Sequence, residues 1–257
     1  WQAVLAYNIR GYEPISHGAL AEAGGFGRTV RSGLAKLSFR LPLQKICTTD
    51  WLKQMVGDPR SIVIGHGIDL DLFHAHGRRE PSESDEVVIG VIGRTGEVKG
   101  YEDFLRALGE LKRELPIHIR LAGQDEVTLP SAWSYSQVRT PGELQMAEFY
   151  RSCNVFVFPS RAEGFGLPPL ESMACGTAVI ITDCGGVNTY ARSGENCLMV
   201  PVADPRAMAA AIERLVADPA LRETLVDGGF KTVRQFSRAD VEARFCNLLE
   251  SLAHAQE

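Results

Sequence analysis

The hydrophobic positions fall into short unbroken runs, most of them followed by a stretch with helical spacing. Val87 to Ile92 (VVIGVI), Ile117 to Ala122, Val155 to Phe158 (VFVF), Ala178 to Thr182 and Cys197 to Val200 are such runs. They are short and apolar throughout, which predicts strands buried on both faces of a parallel sheet. Between them, Phe104, Leu105, Leu108 and Leu111 recur on one face of a helix predicted from Tyr101 to Leu115. Thr140-Pro141-Gly142-Glu143 reads as a capping box with proline in the first turn of a helix to Ser152. Asp204-Pro205 and Asp218-Pro219 each pair an acidic N-cap with a proline, opening helices through Ala217 and through Gly228 or beyond. Strands alternating with helices predict an α/β class with a parallel sheet.

The first 75 residues follow the same logic less regularly. Val4 to Tyr7, Lys45 to Thr48 and Ser61 to Ile64 read as strands, Thr49 or Asp50 caps a helix through Met55, and an Ala- and Gly-rich stretch, Ser16 to Leu37, contains a further helix. Gly77 to Asp85 (GRREPSESD) is polar and charged and reads as a linker. Ser237-Arg238-Ala239-Asp240 opens a last helix with Val241, Phe245, Leu248, Leu249 and Leu252 as its apolar stripe. The expected division is therefore 1–76, a partial Rossmann-like domain; 77–85, linker; 86–236, a second Rossmann-like domain; and 237–257, a terminal helix. Because Trp1 opens within an apparent strand, part of the first domain is expected to precede it.

A net charge of -5 gives no electrostatic footprint for nucleic acid. No window approaches 18 uninterrupted apolar residues, so no transmembrane helix is visible. Cys47, Cys153, Cys175, Cys184, Cys197 and Cys246 lack any C-x-x-C pairing and read as buried thiols in a reducing compartment. His74 and His76 read as a surface pair. Asp69-Leu70-Asp71 follows a strand and precedes the linker, a context that argues against a metal-binding D-x-D. No metal site is expected.

The stretch Phe156 to Gly176 (FVFPSRAEGFGLPPLESMACG) carries the chemistry. Glu163 falls in a turn, Gly164 and Gly166 leave backbone amides open, Pro168 and Pro169 suit a first helical turn, and Glu171 lies inside the helix. A strand's carboxyl end, open amides, a positive helix N-terminus and two acceptor-only carboxylates around one crevice suit a polyhydroxylated anion. Upstream, Gly93-Arg94-Thr95-Gly96-Glu97-Val98-Lys99-Gly100 joins a strand to a helix. Cations set against a helix dipole call for an anionic partner, and a guanidinium and an ammonium both suit phosphate.

Glu163, Gly164, Phe165, Gly166 and Glu171 match the E-x7-E signature, and from about Ser61 to Val233 the chain resembles glycosyltransferase family 4, retaining enzymes of the GT-B fold. The resemblance implies a nucleotide-sugar-binding C-terminal domain plus the back half of an N-terminal, acceptor-side domain. It implies that Gly93, Arg94 and Lys99 hold the donor diphosphate, that Glu171 takes the ribose and Glu163 the transferred sugar, and that Phe165, Gly166 and Leu167 offer backbone amides. Arg94, Lys99 and Glu163 would be the catalytic set. Gly65-His66-Gly67-Ile68-Asp69, closed by Phe73, resembles the family's hinge segment with His66 in the usual asparagine place. Asp183 to Val187 would face the same crevice. Thr189 and Tyr190 stand where many relatives carry a glutamate, with Asn188 as a substitute polar contact. The terminal helix would cross back onto the N-terminal domain.

The implied activity is retaining transfer of a hexosyl or deoxyhexosyl group from a nucleotide-diphosphate sugar to a saccharide or lipid-linked acceptor. No cofactor or metal is implied, and the implied location is cytoplasmic, with peripheral attachment to the inner membrane face. Tyr12-Glu13-Pro14 resembles bacterial rhamnosyl- and mannosyltransferases of this family that build surface polysaccharide. Uridine, guanosine and deoxythymidine donors all remain open. So do a sugar-nucleotide binding module without turnover, since the family's acceptor-side glycine-rich loop has no counterpart here, and a two-carboxylate glycoside hydrolase, which would leave Arg94 and Lys99 without a role.

Overall fold

The computed structural model describes residues 6–12, 33–78, 86–125 and 127–254. A small parallel sheet in the order β1-β2-β3 is made by β1 (Ala6–Ile9), β2 (Gln44–Cys47) and β3 (Ile62–Val63), with α1 (Asp50–Val56) between the last two. Thr49 caps α1 by accepting from the Leu52 N–H. Ile9, Phe39, Cys47 and Leu52 form this sheet's buried cluster.

The larger sheet contains β4 (Val87–Ile92), β5 (Ile117–Gly123), β6 (Tyr135–Arg139), β7 (Val155–Phe158), β8 (Ala178–Thr182) and β9 (Leu198–Val200). All pairings are parallel, in the order β6-β5-β4-β7-β8-β9. The strand sequence therefore reverses between β4 and β7. Two crossovers diverging from neighbouring strands leave a crevice beyond their carboxyl ends.

Successive strand residues face opposite layers, as a pleated strand requires. Ile89, Val91, Val155, Val157 and Ile180 pack with Phe104 of α2 (Tyr101–Glu110), Met208 and Ile212 of α5 (Pro205–Ala217) and Leu225 of α6 (Pro219–Val233). Val88, Phe156, Phe158, Val179 and Ile181 pack with Phe149 and Tyr150 of α3 (Glu143–Arg151) and with Leu170 and Met173 of α4 (Leu167–Ala174). Each half-layer seals one face of the sheet.

Asp204 and Asp218 cap α5 and α6 by accepting from the Ala207 and Leu221 N–H groups, as their spacing predicts. Several boundaries move. The first strand runs on to Ile9 rather than ending at Tyr7, and Val4 and Leu5 of the expected strand lie outside the described residues. So do most of the stretch from Ser16, of which residues 33–38 are helical, Glu13 and Pro14 of the Tyr12-Glu13-Pro14 segment, and residues 79–85 of the linker. Helix α2 stops at Glu110, because Leu111 turns extended (ψ 148°) and buries its side chain as the chain folds back toward β5. Gly142, not Thr140, caps α3: its N–H donates to Gln145 Oε1, while Thr140 sits at φ 48°, outside the helix. Strand β6, a polar edge strand, has no counterpart among the predicted elements. Cys246 is exposed, unlike the other five thiols; burial pushes those of Cys175, Cys184 and Cys197 up to about 12.

The terminal helix, α7 (Arg238–His254), starts where the chain rejoins residues near the small sheet: Ile68 donates to the Phe236 carbonyl, and Arg238 donates to the Ile68 carbonyl. Only Val241 of its stripe is fully buried, and Leu249 is exposed.

The loops leaving β4 and β7 are tied together. Gly100, at φ 65°, lies so close to the Pro159 carbonyl that a Cβ would stand 1.9 Å from that oxygen. Arg161 forks onto Asp103 at 2.8 and 2.9 Å and donates its backbone N–H to Val98. Asp103 is fully buried, so its charge depends on this pairing. Asp103→Ala leaves Arg161 only its longer contact with Glu97, at 3.6 Å and a partly exposed position, and urea titration is expected to show a loss of about 2 kcal/mol, below that of a wholly buried pair.

Candidate functional site

The crevice beyond β4 and β7 is a cleft of about 790 Å³. One wall comes from the loop after β4, with Arg94, Thr95 and Lys99, and from the Gly123–Asp125 end of β5. Its opposite wall is Glu163, Gly164, Phe165, Gly166, Leu167 and Glu171, around the start of α4. Pro141, Met146 and Tyr150 flank α4, and Arg10 and His66 close the cleft from the side of the small sheet.

The two carboxylates are held differently. Glu163 Oε1 accepts from Lys99 Nζ and from Ser160 Oγ, both at 2.9 Å. Its backbone is fixed as well, since its N–H donates to Cys184 and its carbonyl accepts from Gly186. Glu171 is mostly buried and accepts from the Tyr150 hydroxyl at 3.0 Å. That hydroxyl is fully buried, packed among Phe73, Phe149 and Phe156. Burial raises the Glu171 carboxyl above its ordinary value, with Glu143 adding to the rise and Tyr150, Arg238 and Arg94 opposing it.

The cations also differ. Lys99 is half-engaged through Glu163, whereas Arg94 is exposed and has no carboxylate within ion-pair distance among the described residues. Near it, Asp125 accepts from the Thr95 N–H and hydroxyl at 2.6 and 2.7 Å; those two bonds lower its pKa, and Arg94 contributes to the same shift. The result is a cleft lined by the Arg94 and Arg10 guanidiniums, the exchangeable Lys99 ammonium, and the Glu163 and Glu171 carboxylates presented as hydrogen-bond acceptors. Such a set suits a ligand with phosphates at one place and hydroxyls at two others.

Of the residues singled out from sequence, Arg94, Lys99, Glu163, Gly164, Phe165, Gly166, Leu167 and Glu171 all line this cleft. Gly93 does not: the space a side chain would need there is filled by Val127, whose Cγ2 stands 2.9 Å from a Cβ placed at Gly93. Residues 183–189 also lie away from the cleft lining. Gly185 packs under Trp51, Gly186 under the Glu163–Gly164 backbone, and Asn188 donates to Asp183 at 2.6 Å. Where many relatives of the resembled family carry a glutamate, Tyr190 is buried and donates to the Gly166 carbonyl, bracing the turn from behind.

Sequence reading missed Arg10, Ser160 and Tyr150 as parts of the site, whereas Gly123-Gln124-Asp125, read as the start of a crevice loop, does line the cleft. Ser160 lies three residues before Glu163 and was within reach of motif reasoning; Arg10 and Tyr150 reach the cleft only through the tertiary fold. Asp69 is structural, accepting from the Asp71 and Leu72 N–H groups and from Arg238. Among the described residues no three His, Cys, Asp or Glu side chains gather around a common cation position, and no helix is long and apolar enough to cross a membrane.

The family model described as Glycosyl transferases group 1 matches residues 86–218. A lipopolysaccharide core biosynthesis mannosyltransferase, LpcC of Rhizobium leguminosarum bv. viciae, is 31% identical over 207 residues, 74% of this chain and 58% of that protein. The chain spans about six-tenths of the length of such curated relatives. Among solved structures, the sucrose-phosphate synthase of Thermosynechococcus elongatus superposes with a TM-score of 0.80 at 25% identity, over 97% of this chain and 68% of that one. HepE of Anabaena, solved with UDP and glucose, has the same fold, with a TM-score of 0.75 at 17% identity over 96% of this chain and 72% of that one.

Glu171→Gln separates stability from binding. Because the folded carboxyl titrates above its unfolded value, its ionised form costs stability, and stability recovers as pH falls through that raised range. The glutamine variant should therefore melt higher than wild type at pH 7, with a flatter pH dependence above the ordinary carboxylate range. Its affinity for a nucleoside diphosphate should fall by about tenfold, the scale of one hydrogen bond to a charged group, as read by calorimetry.

Proposed function

The chain belongs to the glycosyl transferases group 1 family, the family-4 type that its motif resembles, and has the GT-B fold; from that premise we propose that it transfers a sugar from a nucleotide-diphosphate donor with retention of configuration. The observation that carries this reading is the placement of Arg94 and Lys99 beyond β4, facing Glu163 and Glu171 across the switch-point crevice. The donor diphosphate would lie against Arg94 and draw Lys99 partly away from Glu163. The ribose hydroxyls would donate to Glu171 and the sugar hydroxyls to Glu163.

The chemistry is then electrostatic. Cleavage of the bond to the anomeric carbon places negative charge on the departing diphosphate, and two fixed cations stabilise that charge more in the transition state than in the ground state. The reading includes no resident metal or cofactor, because Arg94 and Lys99 supply the positive charge. A uridine donor has the support of HepE, solved with UDP and glucose. LpcC, a lipopolysaccharide core biosynthesis mannosyltransferase, supports hexosyl transfer in surface polysaccharide synthesis; the reading adds a saccharide or lipid-linked acceptor and a place at the cytoplasmic membrane face.

A second reading, a donor-binding module without turnover, is favoured by the size of the small sheet, which has three described strands against six. The hydrolase reading is disfavoured: a buried Tyr150 is bonded to one carboxylate, a lysine to the other, and the mechanism needs neither cation. Calorimetric titration with UDP, GDP and dTDP, with and without magnesium, tests the first reading. One diphosphate should be preferred, independently of metal, and Arg94→Ala and Lys99→Ala should each weaken it by about tenfold or more. Wild-type affinity in both variants would refute the assignment.

A further inference from the structure

We propose that Tyr150 is a positioning residue for the donor: its buried hydroxyl binds Glu171 Oε2 and so fixes Oε1 as the acceptor that meets the ribose hydroxyls. This rests on the glycosyltransferase reading above, in which Glu171 takes the ribose.

The hydroxyl itself is the first argument. Tyr150 is fully buried at the back of the donor cleft, its ring centroid 6.2 Å from that of Phe73, 5.5 Å from Phe149 and 5.2 Å from Phe156. A phenylalanine would fill this aromatic cluster equally well and would bring no polar atom to be desolvated. What the hydroxyl bonds is therefore what accounts for it. Among the described residues its one hydrogen bond is to Glu171 Oε2, at 3.0 Å. The backbone beneath it is anchored as well, because the Thr177 hydroxyl donates to the Tyr150 carbonyl at 2.8 Å. A phenol held by ring packing and by its main chain cannot follow a swinging side chain. The carboxylate has to come to it.

The freedom of Glu171 is the second. It lines the cleft from α4, and no other side chain bonds it among the described residues. A glutamate tethered only through its own backbone samples several rotamers, and a ligand would have to select one. Engaging Oε2 from behind removes that freedom before the ligand arrives, which lowers the ordering cost of binding and leaves the lone pairs of Oε1 for the cleft.

Protonation follows the same geometry. The groups facing Glu171 are Tyr150 and Glu143 of α3, Arg94 after β4, Arg238 of α7 and Cys175 at the end of its own helix. Burial raises the carboxyl, Glu143 adds to the rise, and the Tyr150 bond opposes it, with Arg238 and Arg94. Burial and the charge of Glu171 push the phenol well above its usual range, so it keeps its proton and remains a donor. Without that donor the rise is less opposed. The carboxyl would then take up its proton at a higher pH, and a group that only accepts would become one that also donates.

The test titrates the 257-residue chain with the preferred nucleoside diphosphate by calorimetry, from about pH 5 to about pH 8.5, in wild type, Tyr150→Phe, Glu171→Gln and the double variant. The Glu171→Gln profile carries the titration of the ligand and of every other group, and serves as the baseline. Above that baseline, wild-type affinity should fall as pH drops through the raised Glu171 range. Tyr150→Phe should move the midpoint of that fall up by about one pH unit, the scale of one hydrogen bond to a charged group. In the Glu171→Gln background the same substitution should change affinity by less than about twofold. Replacing Tyr150 by 3-fluorotyrosine, a more acidic phenol and a stronger donor, reads the bond without removing it and should move the midpoint down. A merely structural tyrosine would lower affinity equally at every pH and in both backgrounds. That pattern, or a midpoint unmoved by either replacement, would overturn the proposal. Failure of wild type to bind any diphosphate would overturn the parent reading and this one with it.

Discussion

The fork between Arg161 and Asp103 is the interaction on which the cleft depends. Asp103 belongs to the helix that follows the Arg94–Lys99 loop, and Arg161 to the loop that leads to Glu163, so a two-bond, charge-assisted pair ties the two sides of the switch point. An isolated carboxylate as deeply buried as Asp103 would be costly; two parallel hydrogen bonds to a guanidinium offset that cost and fix distance and angle together. The close approach of Gly100 to the Pro159 carbonyl does the same job in backbone terms. With both in place, Lys99 and Glu163 meet at hydrogen-bond distance without either side chain having to search for the other.

The charges within that frame are neither matched off nor left bare. Lys99, Ser160 and Glu163 form a local cluster converging on one carboxylate oxygen, while Tyr150 engages Glu171 from inside the core. A ligand that brings its own anion and its own hydroxyls replaces these bonds in kind, so little polar surface is stranded when it enters or leaves. Arg94 is the exception. Its charge reaches Asp125 and Glu171 without forming a pair with either, a surplus of positive potential facing the opening.

Strands β4, β7 and β8 were legible in the sequence to the residue, because a strand buried on both faces must be apolar at every position, and the first turn of α4 was legible from its two prolines, which have few alternatives. Strand β6 was not, since an edge strand exposed to water carries no such signature. Thr140 and Gly142 offered two N-caps within three residues, and only the left-handed backbone at Thr140 decides between them. The site was legible where its residues follow one another and obscure where they converge. Glu163 and Glu171 share one motif. Tyr150 reads as an ordinary core aromatic, and its ring is one; only its hydroxyl has another task, which spacing along a helix does not reveal. Gly93 and Asn188 lie outside the cleft lining, since adjacency to a motif does not say which side of the backbone faces the cleft.

The chain passes between its two sheets twice, once after β3 and again on entering α7, and the two passages are bonded to each other through Ile68, Phe236 and Arg238. Gly67 lies so close to Arg238 there that a Cβ would stand 2.5 Å from its Cα. Two adjoining backbone segments joined in this way form a doubled strap, and the sheets touch again where the Thr49 hydroxyl donates to the Gly164 carbonyl. The turn that carries Glu163 is therefore buttressed from the small sheet as well as from its own.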